Sequence, residues 1–370
     1  MQYNWQQPDW PHFTYELTEV LPDLLALAAK TGRMSGLWAG LSDGEKAETQ
    51  TDLLAAEAVH TSEIEGSYLS RRDVVSSIQH HLGWGGNPTA DQPADGIARL
   101  MVDVQHSYAS PLNESQLFRW HEMLMQGNTR IRPGRWRDHD GPMQVVSGSI
   151  GREQIHFEAP PAAAVPGEMR AFIAWYNATA PGGSQPIVYP AVRAALVHLY
   201  FESIHPFEDG NGRIGRALAQ RALSQDTGRP PLLSLSRTIE ADRPAYYRAL
   251  QQAQRSNQVS AWVVYFVRLT LQAQTQAEEQ VAFILRKTRF FDRFRSCLEA
   301  RHLKVLRRMS AAGPAGFEGG MNARKYAAIT RVSKATATRD LQYLARLGVL
   351  VPFGSGRSTA YSLDLDAVLH

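Results

Sequence analysis

The sequence predicts a mainly α fold, in which a helical core contains one short β-hairpin and is followed by a small C-terminal domain. Three observations support this prediction. Apolar residues recur at helical spacing through most of the chain before residue 275. Between Ile131 and Pro161 the pattern changes to Gly, Pro and short alternating stretches, as in a hairpin. After Arg301 three short helical patterns precede two short apolar stretches.

Length and composition are those of a globular protein. A chain of 370 residues, 44% of them hydrophobic, is long enough for two or three domains with their own cores. The N-terminus lacks the pattern of an export signal, and charges such as Arg193 interrupt the long apolar runs, so we expect neither export nor a membrane span. Cys297, the single cysteine, favours a reducing cytoplasm and is expected to be a small buried side chain.

Residues 1–95 are predicted to form an N-terminal helical region. The first forty residues contain several aromatic residues and a Leu-rich stretch that would pack as one or two helices. Between Ser42 and Ile78 apolar positions recur near helical spacing, and Gly66 is the expected helix stop. The Gly- and Pro-rich segment Gly83–Pro93 indicates a linker.

A helical core is predicted over residues 96–275. Asn113 and Gln116 have the spacing of a capping box, and Pro190 suits the first turn of a helix that ends at His205. The hairpin is expected to turn near Ser147–Gly151. The predicted core helices are Asn113–Met125, one that begins at Val165, Pro190–His205, about Arg213–Leu223, Ala245–Ala253 and Ala261–Gln274. A linker helix would follow over residues 276–300.

Residues 301–370 have the layout of a winged helix-turn-helix domain. The predicted helices are Leu303–Met309, Ala323–Ile329 and Lys334–Leu347, and the predicted strands are Val349–Phe353 and Thr359–Leu363. Asn322 and Ser333 are the candidate N-caps. From Val281 to His370 there are 16 Lys and Arg against 6 Asp and Glu, a net charge of +10, so the remainder carries −7 of the total of +3. Such a basic segment suggests an appended nucleic-acid-binding module, although solvated basic faces also occur without a partner.

The segment His205–Arg216, with the sequence HPFEDGNGRIGR, offers a nucleotide an anion-binding cradle. Gly210 and Gly212 allow the backbone to approach a phosphate closely, and the following helix directs its free N–H groups to the same place. Asn211 and Arg213 can each bind a phosphate.

The same segment also supplies a candidate base and a candidate metal ligand. The carboxylate of Asp209 can hold a divalent cation that bridges phosphate oxygens. An imidazole such as that of His205 is suited to accept a hydroxyl proton near neutral pH. Each residue type is common alone, so the prediction depends on the whole set at this spacing.

At every specified position this loop matches the signature of the Fic family, His-Pro-Phe-x-Asp/Glu-Gly-Asn-Gly/Lys-Arg-x-x-Arg, and so the sequence resembles that family. The resemblance implies a protein adenylyltransferase, which moves AMP from ATP to a Ser, Thr or Tyr hydroxyl of a target protein or of itself and releases pyrophosphate. It implies His205 as the base, Asp209 as the Mg²⁺ ligand and Phe207 as a buried anchor. The implied nucleotide-binding residues of the loop are Gly210, Asn211, Gly212, Arg213, Gly215 and Arg216.

Position 212 distinguishes reactions within the family. Phosphorylating members similar to Doc have Lys there, whereas Gly212 is similar to the AMP-transferring type. The residues of the loop alone do not exclude phosphocholine transfer as the reaction. Tyr246 and Tyr247 lie where relatives contribute an aromatic residue to the adenine pocket, and Tyr247 is the candidate, although either can belong to the core. His198 and Trp262 are expected to be structural.

A second segment, Thr61-Ser-Glu-Ile-Glu65-Gly66, resembles the inhibitory motif of the family, Ser/Thr-x-x-x-Glu-Gly/Asn. If Glu65 paired bidentately with Arg216, it would occupy the group that should hold the γ-phosphate and would misplace the α-phosphorus. Two alternatives stay open. Glu65 can be a solvated residue at a helix end, or it can assist removal of AMP from a modified target, as in some relatives.

The hairpin between Gly141 and Phe157 corresponds in position to the flap of the family, whose edge strand aligns a target segment by backbone pairing. Because such pairing ignores side chains, the sequence does not identify the target. An ordinary surface hairpin is the alternative.

The segment Val332–Leu341 resembles the recognition helix of winged repressors. Lys334, Thr336 and Arg339 would face the major groove, and Arg357 on the wing would reach a phosphate. Winged helices also bind proteins, so DNA is one of two candidate partners. The alternative function is therefore a transcription regulator with a nucleotide-sensing or de-AMPylating core. The sequence also leaves open whether the chain forms a homodimer.

Overall fold

Helices make up most of the computed structural model, which describes residues 2–87, 89–147, 154–314 and 316–367. The α-helices of the described residues are α1 (Leu21–Ala39), α2 (Asp43–Ile64), α3 (Arg71–His81), α4 (Gln92–Ser107), α5 (Glu114–Leu124), α6 (Val165–Ala178), α7 (Pro190–Ile204), α8 (Asn211–Thr227), α9 (Leu235–Ala241), α10 (Arg243–Ala253), α11 (Ser260–Phe294), α12 (Ala300–Ser310), α13 (Ala323–Thr330) and α14 (Lys334–Arg346). The strands β1 (Gln144–Ser147) and β2 (Gln154–Glu158) form one antiparallel hairpin, and β3 (Leu350–Phe353) and β4 (Ala360–Leu363) form another. The prediction of a mainly α fold is confirmed.

The chain divides into two compact units. One consists of Met1–Met34 and Ala47–Ala277, and the other of Ser35–Lys46 and Glu278–His370. The domain boundaries predicted at residues 95, 275 and 300 stay predictions. Among the described helices, none combines the length and the apolar character that a membrane span requires.

Helix α7 lies in the core of the first unit. All of its residues after Pro190 are buried, which is typical of a helix that is surrounded by other elements. It packs most extensively against α8. The buried guanidinium of Arg193 donates from Nη2 to Tyr176 O and to Gln225 Oε1, both at 2.9 Å. These hydrogen bonds compensate for removing a charge from water in the middle of an apolar helix.

The N-terminal residues are attached to this core before α1 begins. Asn4 Nδ2 donates to Ser203 Oγ of α7 at 2.9 Å, and Trp10 packs edge-on against Tyr200 with ring centroids 5.0 Å apart. The helical pattern predicted between Ser42 and Ile78 corresponds to α2 and α3. Gly66, with φ +79°, follows the end of α2, so the predicted helix stop is confirmed.

The hairpin of β1 and β2 lies where the sequence predicted it. Its register pairs Gln144 with Glu158 and Val145 with Phe157, and a bulge follows Val145. Phe157 is buried and packs against Tyr3 at a ring-centroid distance of 5.0 Å, so the hairpin is anchored to the core. The turn was expected at residues 147–151, and of these only residue 147 is among the described residues.

Helix α11 differs from the prediction. The sequence predicted a helix that ends at Gln274 and a separate linker helix over residues 276–300, whereas one helix runs from Ser260 to Phe294. No Gly or Pro occurs in this range, and Gln, Ala and Glu between residues 272 and 280 favour the helical state. The predicted break between residues 274 and 276 is therefore wrong, and the helix is continuous across it.

The second unit has its own apolar core, which includes Phe290, Phe294, Leu306, Tyr326 and Leu341. The order of α12, α13, α14, β3 and β4 is the predicted order. Both predicted N-caps are confirmed, since the side chain of Asn322 accepts from Lys325 N and that of Ser333 accepts from Thr336 N. The assignment to the winged helix-turn-helix class stays a prediction.

The expectation of a buried Cys297 is wrong. The thiol is exposed, because Cys297 lies in the short 3-10 segment Arg295–Cys297 that follows α11 rather than on the apolar face of a helix.

Candidate active site

The loop between α7 and α8 begins at His205, which ends α7 in a left-handed conformation with φ 50° and ψ 60°. Positive φ is uncommon for residues other than glycine and marks a position held by its surroundings. The N–H of His205 donates to Phe201 O at 2.9 Å. The side chain is 14% exposed and its Nδ1 is buried. The imidazole is therefore held at the helix end with its Nδ1 edge turned inward.

Arg137 holds the backbone at this helix end. Its Nε donates to His205 O at 2.8 Å, and its Nη2 donates to Ile204 O at 3.4 Å and to Pro160 O. Burial lowers the pKa of Arg137 to about 10, which leaves the guanidinium charged at neutral pH. Arg137 thus supplies the donors for carbonyl groups that lack partners at the end of α7.

Two contacts fix the shape of the loop. Phe207 is fully buried, as predicted, and stacks on His121 with ring centroids 4.1 Å apart. Burial lowers the pKa of His121 to about 4, so this ring is neutral at physiological pH. The carboxamide of Asn211 binds the backbone of Phe207 at both ends, with Oδ1 accepting from N at 2.9 Å and Nδ2 donating to O at 2.8 Å. Asn211 therefore closes the loop, and its role as a phosphate ligand stays a prediction.

Gly210 and Gly212 leave the backbone open where α8 begins. Gly210 precedes the first turn with φ +86°, a conformation that glycine adopts at little cost. A Cβ at Gly212 would lie 2.1 Å from Oε1 of Glu65, so the absence of a side chain is what allows Glu65 to approach. The first N–H groups of a helix have no partner within it and carry its positive dipole end. This arrangement is the one that binds phosphates at helix N-termini.

Asp209 and Arg213 pair at the edge of the cradle. Arg213 Nη2 lies 3.1 Å from Asp209 Oδ1, which also accepts from Gly210 N at 2.5 Å. No described residue donates to Oδ2, and the Asp209 side chain is 50% exposed. Mg²⁺ in nucleotide sites is commonly held by one or two carboxylates together with substrate phosphates. Asp209 therefore fits the predicted cation, with Oδ2 as the ligand atom.

Arg216 is 1% exposed and is bound by the end of α2. Its Nε donates to Thr61 Oγ1 at 2.7 Å, and its Nη2 donates to Thr61 O at 3.0 Å and to Glu65 Oε1 at 2.8 Å. Burial disfavours the charged form, yet the carboxylate of Glu65 holds the pKa of Arg216 above its usual value. The predicted contact between Glu65 and Arg216 is present. The bidentate geometry is wrong, because the hydroxyl of Thr61 occupies Nε.

Two further side chains fix the end of α2. Arg243 Nη1 donates to Glu63 O at 2.9 Å, and the hydroxyl of Tyr247 donates to Ile64 O at 3.3 Å. Gly66 then turns the chain away. These contacts hold the segment Thr61–Gly66 against the loop.

The loop, the hairpin and the end of α2 surround a cavity of about 580 Å³, a size common for ligand pockets. The sequence-predicted residues that line it are Glu65, His205, Asp209, Gly210, Asn211, Gly212, Arg216 and Tyr247. The hairpin contributes Gln144, Val145, Val146, His156 and Phe157. Thr61, Gly66, Arg213 and Gly215 are not among the lining residues. The structure thus brings the candidate base, the anion cradle and the cation ligand to one cavity.

The two candidate tyrosines, Tyr246 and Tyr247, differ in how far their side chains are exposed. Tyr247 is 43% exposed and lines the cavity, which is the placement expected of an adenine contact. Tyr246 also lines the cavity but is only 1% exposed, and its hydroxyl lies 2.8 Å from Nε2 of His198. Trp262 is buried, and its Nε1 donates to Ala195 O at 2.8 Å. His198 and Trp262 therefore belong to the packed interior, as the sequence predicted.

The residues predicted to contact DNA lie in the second unit. Lys334 and Arg339 are exposed on α14. Thr336 is half-buried, and its hydroxyl lies 3.0 Å from Ser333 Oγ at the start of the helix. The side chain of Arg357 lies outside the described residues.

Comparison with known protein families identifies the family to which the loop belongs. The Fic/DOC family matches residues 111–223, a range that includes all of His205–Arg216. This chain contains a Fic domain. Residues 3–84 match a second family, described as a domain of unknown function (DUF4172), and this range includes the segment Thr61–Gly66. The Fic loop and the segment that binds its last arginine thus fall in two separately recognised regions.

Curated relatives are similar to part of the chain. The chain is 26% identical over 221 residues to the protein adenylyltransferase Fic of Culex quinquefasciatus, covering 58% of this chain and 39% of that protein. It is 30% identical over 119 residues to a probable protein adenylyltransferase of Aquifex aeolicus, covering 32% of this chain and 33% of that protein. The chain thus spans between a third and two fifths of the length of these relatives.

Solved structures share the fold. A Fic family protein from Desulfovibrio desulfuricans G20 superposes with a TM-score of 0.55 at 19% identity, covering 96% of this chain and 98% of that one. A Fic domain containing signaling protein from Bacteroides thetaiotaomicron superposes with a TM-score of 0.54 at 18% identity, covering 70% of this chain and 97% of that one.

Three residues that surround the Fic loop were missed from the sequence. Arg137 and His121 come from segments more than 60 residues earlier, and no local pattern indicates their contacts. Glu202, by contrast, lies three residues before His205 on α7. Residues at this spacing share one helix face, so the spacing could have identified it.

Proposed function

We propose that the chain is a protein adenylyltransferase, which moves AMP from ATP to a Ser, Thr or Tyr hydroxyl of a target protein or of itself. The observation that carries the proposal is the convergence of His205, the helix N-terminus at Gly210–Gly212 and the buried Arg216 on one cavity. The names of the curated relatives point to the same reaction class. Mass spectrometry of the chain after incubation with ATP and Mg²⁺, with an added AMP group as the readout, tests it.

The geometry supports a direct displacement at the α-phosphorus. His205 accepts the proton of the target hydroxyl, the hydroxyl oxygen forms a bond to the α-phosphorus, and the bond to the bridging oxygen of pyrophosphate breaks. N–H groups at the start of α8 stabilise the negative charge that develops on the phosphoryl oxygens. Arg216, and Arg213 after leaving Asp209, neutralise the departing pyrophosphate.

Asp209 would hold Mg²⁺ at the edge of the cavity, where the ion supplies neutralising charge to phosphate oxygens. We expect Asp209→Asn to lower the initial rate of AMP transfer by about 10²-fold, in line with the loss of one charge-stabilising group. Rates of pyrophosphate release measure the effect, and Asp138→Asn serves as the control, since Asp138 pairs with Arg135 outside the cavity. Equal rates for Asp209→Asn and wild type would remove Asp209 from the proposal.

We further propose that Glu65 inhibits this reaction. Its carboxylate occupies the guanidinium that would otherwise bind a terminal phosphate, so ATP enters with its α-phosphorus displaced from the line of attack. The hairpin of β1 and β2 would present the target segment, because β1 and β2 both contribute to the cavity wall. Backbone pairing to such a hairpin is compatible with many target sequences.

A second candidate function, DNA binding by the second unit, is favoured by the charge of its helices. Lys334 and Arg339 are exposed on α14, and the opposite face of α14 buries Ala337, Leu341 and Leu344. An exposed basic face on a helix whose other face forms the core is the arrangement of recognition helices. In this case the Fic domain would sense nucleotide or remove AMP for a transcription regulator.

We expect the chain to retard duplex DNA at low salt, and Lys334→Ala with Arg339→Ala to weaken this binding. If both residues contact phosphates, the slope of log affinity against log salt falls by about two. Arg307→Ala with Arg308→Ala removes the same charge from exposed positions on α12 and should bind as wild type does. The absence of any retardation at low salt would exclude DNA as a partner.

A further inference from the structure

A buried carboxylate lies behind the candidate base. Glu202 is 5% exposed and precedes His205 by three residues, so both side chains lie on one face at the end of α7. Glu202 Oε2 is 3.6 Å from His205 Nδ1. The reaction steps proposed for the Fic domain leave this carboxylate unused.

Three polar atoms at this place lack partners among the described residues, namely Nδ1 of His198, Oε1 of Glu202 and Nδ1 of His205. Neither Nδ1 of His205 nor Oε1 of Glu202 has a hydrogen bond, although both atoms are buried. Buried polar atoms nearly always have a partner, because an unmade hydrogen bond in the interior is destabilising. The 3.6 Å separation exceeds a hydrogen bond by less than 1 Å, so a small rotation of either side chain joins the two groups.

Glu202 is ionised at neutral pH. Burial raises the pKa of a carboxyl group, but the imidazoles of His205 and His198 and the guanidinium of Arg216 together hold the pKa of Glu202 below its ordinary value. Burial lowers the pKa of His198, and its Nε2 already lies 2.8 Å from the hydroxyl of Tyr246. Tyr246 and Tyr247 also interact with Glu202, and burial raises the pKa of both phenols, which keeps them uncharged.

We propose that Glu202 is the positioning residue for His205. Its carboxylate accepts a hydrogen bond from Nδ1–H, which keeps the imidazole in the tautomer whose lone pair lies on Nε2. When Nε2 takes the proton of the target hydroxyl, the carboxylate stabilises the imidazolium while the Nδ1 proton stays in place. This inference rests on the proposed function for its chemical consequence, but the choice of tautomer is a property of the resting protein.

Gly215 provides the space for this carboxylate. A Cβ at position 215 would lie 2.4 Å from Glu202 Oε1 and 3.1 Å from His198 Nδ1. Glycine is otherwise an unfavourable residue inside α8, because alanine stabilises a helix more than glycine does. The close contact explains why position 215 has no side chain, and it supplies a second way to displace Glu202.

The tautomer of His205 tests the inference without any enzymatic turnover. In protein labelled with ¹⁵N-histidine, NMR correlations between ring protons and ring nitrogens separate the Nδ1–H from the Nε2–H form, and His205→Asn assigns the signal. We expect wild type to contain the Nδ1–H form and Glu202→Met, which has a similar volume but no acceptor oxygen, to lose it. Glu114→Gln, an exposed change on α5, should match wild type.

An unchanged tautomer in Glu202→Met overturns the inference. If Glu202→Met does not fold, Gly215→Ala replaces it, because alanine favours the helix while it displaces the same carboxylate; an unchanged tautomer in that variant is equally decisive. Glu202→Gln retains an acceptor oxygen without the charge and should recover part of the Nδ1–H form.

The rate measurement links the tautomer to chemistry. With Glu65→Gly present, Glu202→Met should lower the initial rate of AMP transfer by about 10²-fold and leave the dissociation constant of ATP unchanged. A loss of ATP affinity that accounts for the whole rate effect contradicts a positioning role. If the tautomer changes as expected while no variant transfers AMP, the proposed function fails and the assignment of Glu202 stands.

Discussion

We expect replacement of Glu65 by Gly to raise the proposed AMP transfer, including self-modification, by at least about tenfold, which corresponds to 1.4 kcal/mol. The variant frees Nη2 of Arg216 from its 2.8 Å hydrogen bond with the carboxylate, so that a terminal phosphate can bind there and bring the α-phosphorus into line. Intact-mass measurement of the chain after incubation with ATP and Mg²⁺ gives the result. A cytoplasmic extract incubated with labelled ATP extends it to the target.

A matched variant separates this effect from damage to the helix end. Glu63→Gly introduces the same residue into the same turn of α2, but the carboxylate of Glu63 lies 2.8 Å from His60 Nδ1 and not on Arg216. Glu63→Gly should behave as wild type does. If Glu65→Gly is no more active than wild type, Glu65 is not an inhibitor.

The initial rate distinguishes inhibition from AMP removal. If Glu65 instead assists hydrolysis of a modified target, Glu65→Gly increases the amount of accumulated product but leaves the initial rate of pyrophosphate release unchanged. An inhibitory Glu65 requires both quantities to rise.

Loss of Glu65 also has a cost in the absence of nucleotide. Arg216 keeps its hydrogen bonds to Thr61 but loses its anion, so we expect the free energy of unfolding to fall by about 1 to 3 kcal/mol. ATP should recover much of this difference, because a phosphate replaces the carboxylate at the same guanidinium. Thermal unfolding with and without ATP measures both effects.

We expect replacement of His205 by Ala to abolish the proposed transfer in wild type and in the Glu65→Gly background. Loss of a general base costs about 10² to 10⁴-fold, which takes the reaction below detection in the inhibited protein. The fold should persist, since Arg137 binds the backbone of residue 205 and not its side chain. The measurement is the rate of labelled AMP incorporation for Glu65→Gly and for Glu65→Gly with His205→Ala.

His106→Ala is the control for this variant. His106 is an exposed histidine in the last turn of α4, and its loss should leave the rate unchanged. Residual transfer by the double variant at more than about a tenth of the Glu65→Gly rate would show that a group other than His205 accepts the proton.

The features that the sequence predicted correctly depend on neighbours in the chain. Helix caps such as Asn322 and Ser333 bind N–H groups three residues away, so their chemistry is visible locally. The signature of the Fic loop is equally local, because its glycines, the candidate base and the candidate cation ligand occur within twelve residues. The position of the hairpin followed from composition and alternation alone.

Most of the features that were missed depend on groups far apart in the sequence, and Glu202, three residues before His205, is the exception. Arg137 acts on carbonyl groups of α7, and Thr61 competes with Glu65 for the guanidinium of Arg216 across 155 residues. Neither relation has a periodic or compositional signal. The exposure of Cys297 was missed for a related reason, since burial depends on which face of an element meets the core.

Gly212 also limits how this protein can evolve. Any side chain at position 212 would start 2.1 Å from Oε1 of Glu65, and the flexible carboxylate would have to leave Arg216 to make room. A lysine at position 212 would therefore require the carboxylate of Glu65 to move away from its present place on Arg216. Under the proposed role of Glu65, a change of reaction at position 212 would also weaken the restraint, so that substrate chemistry and control would be inherited together.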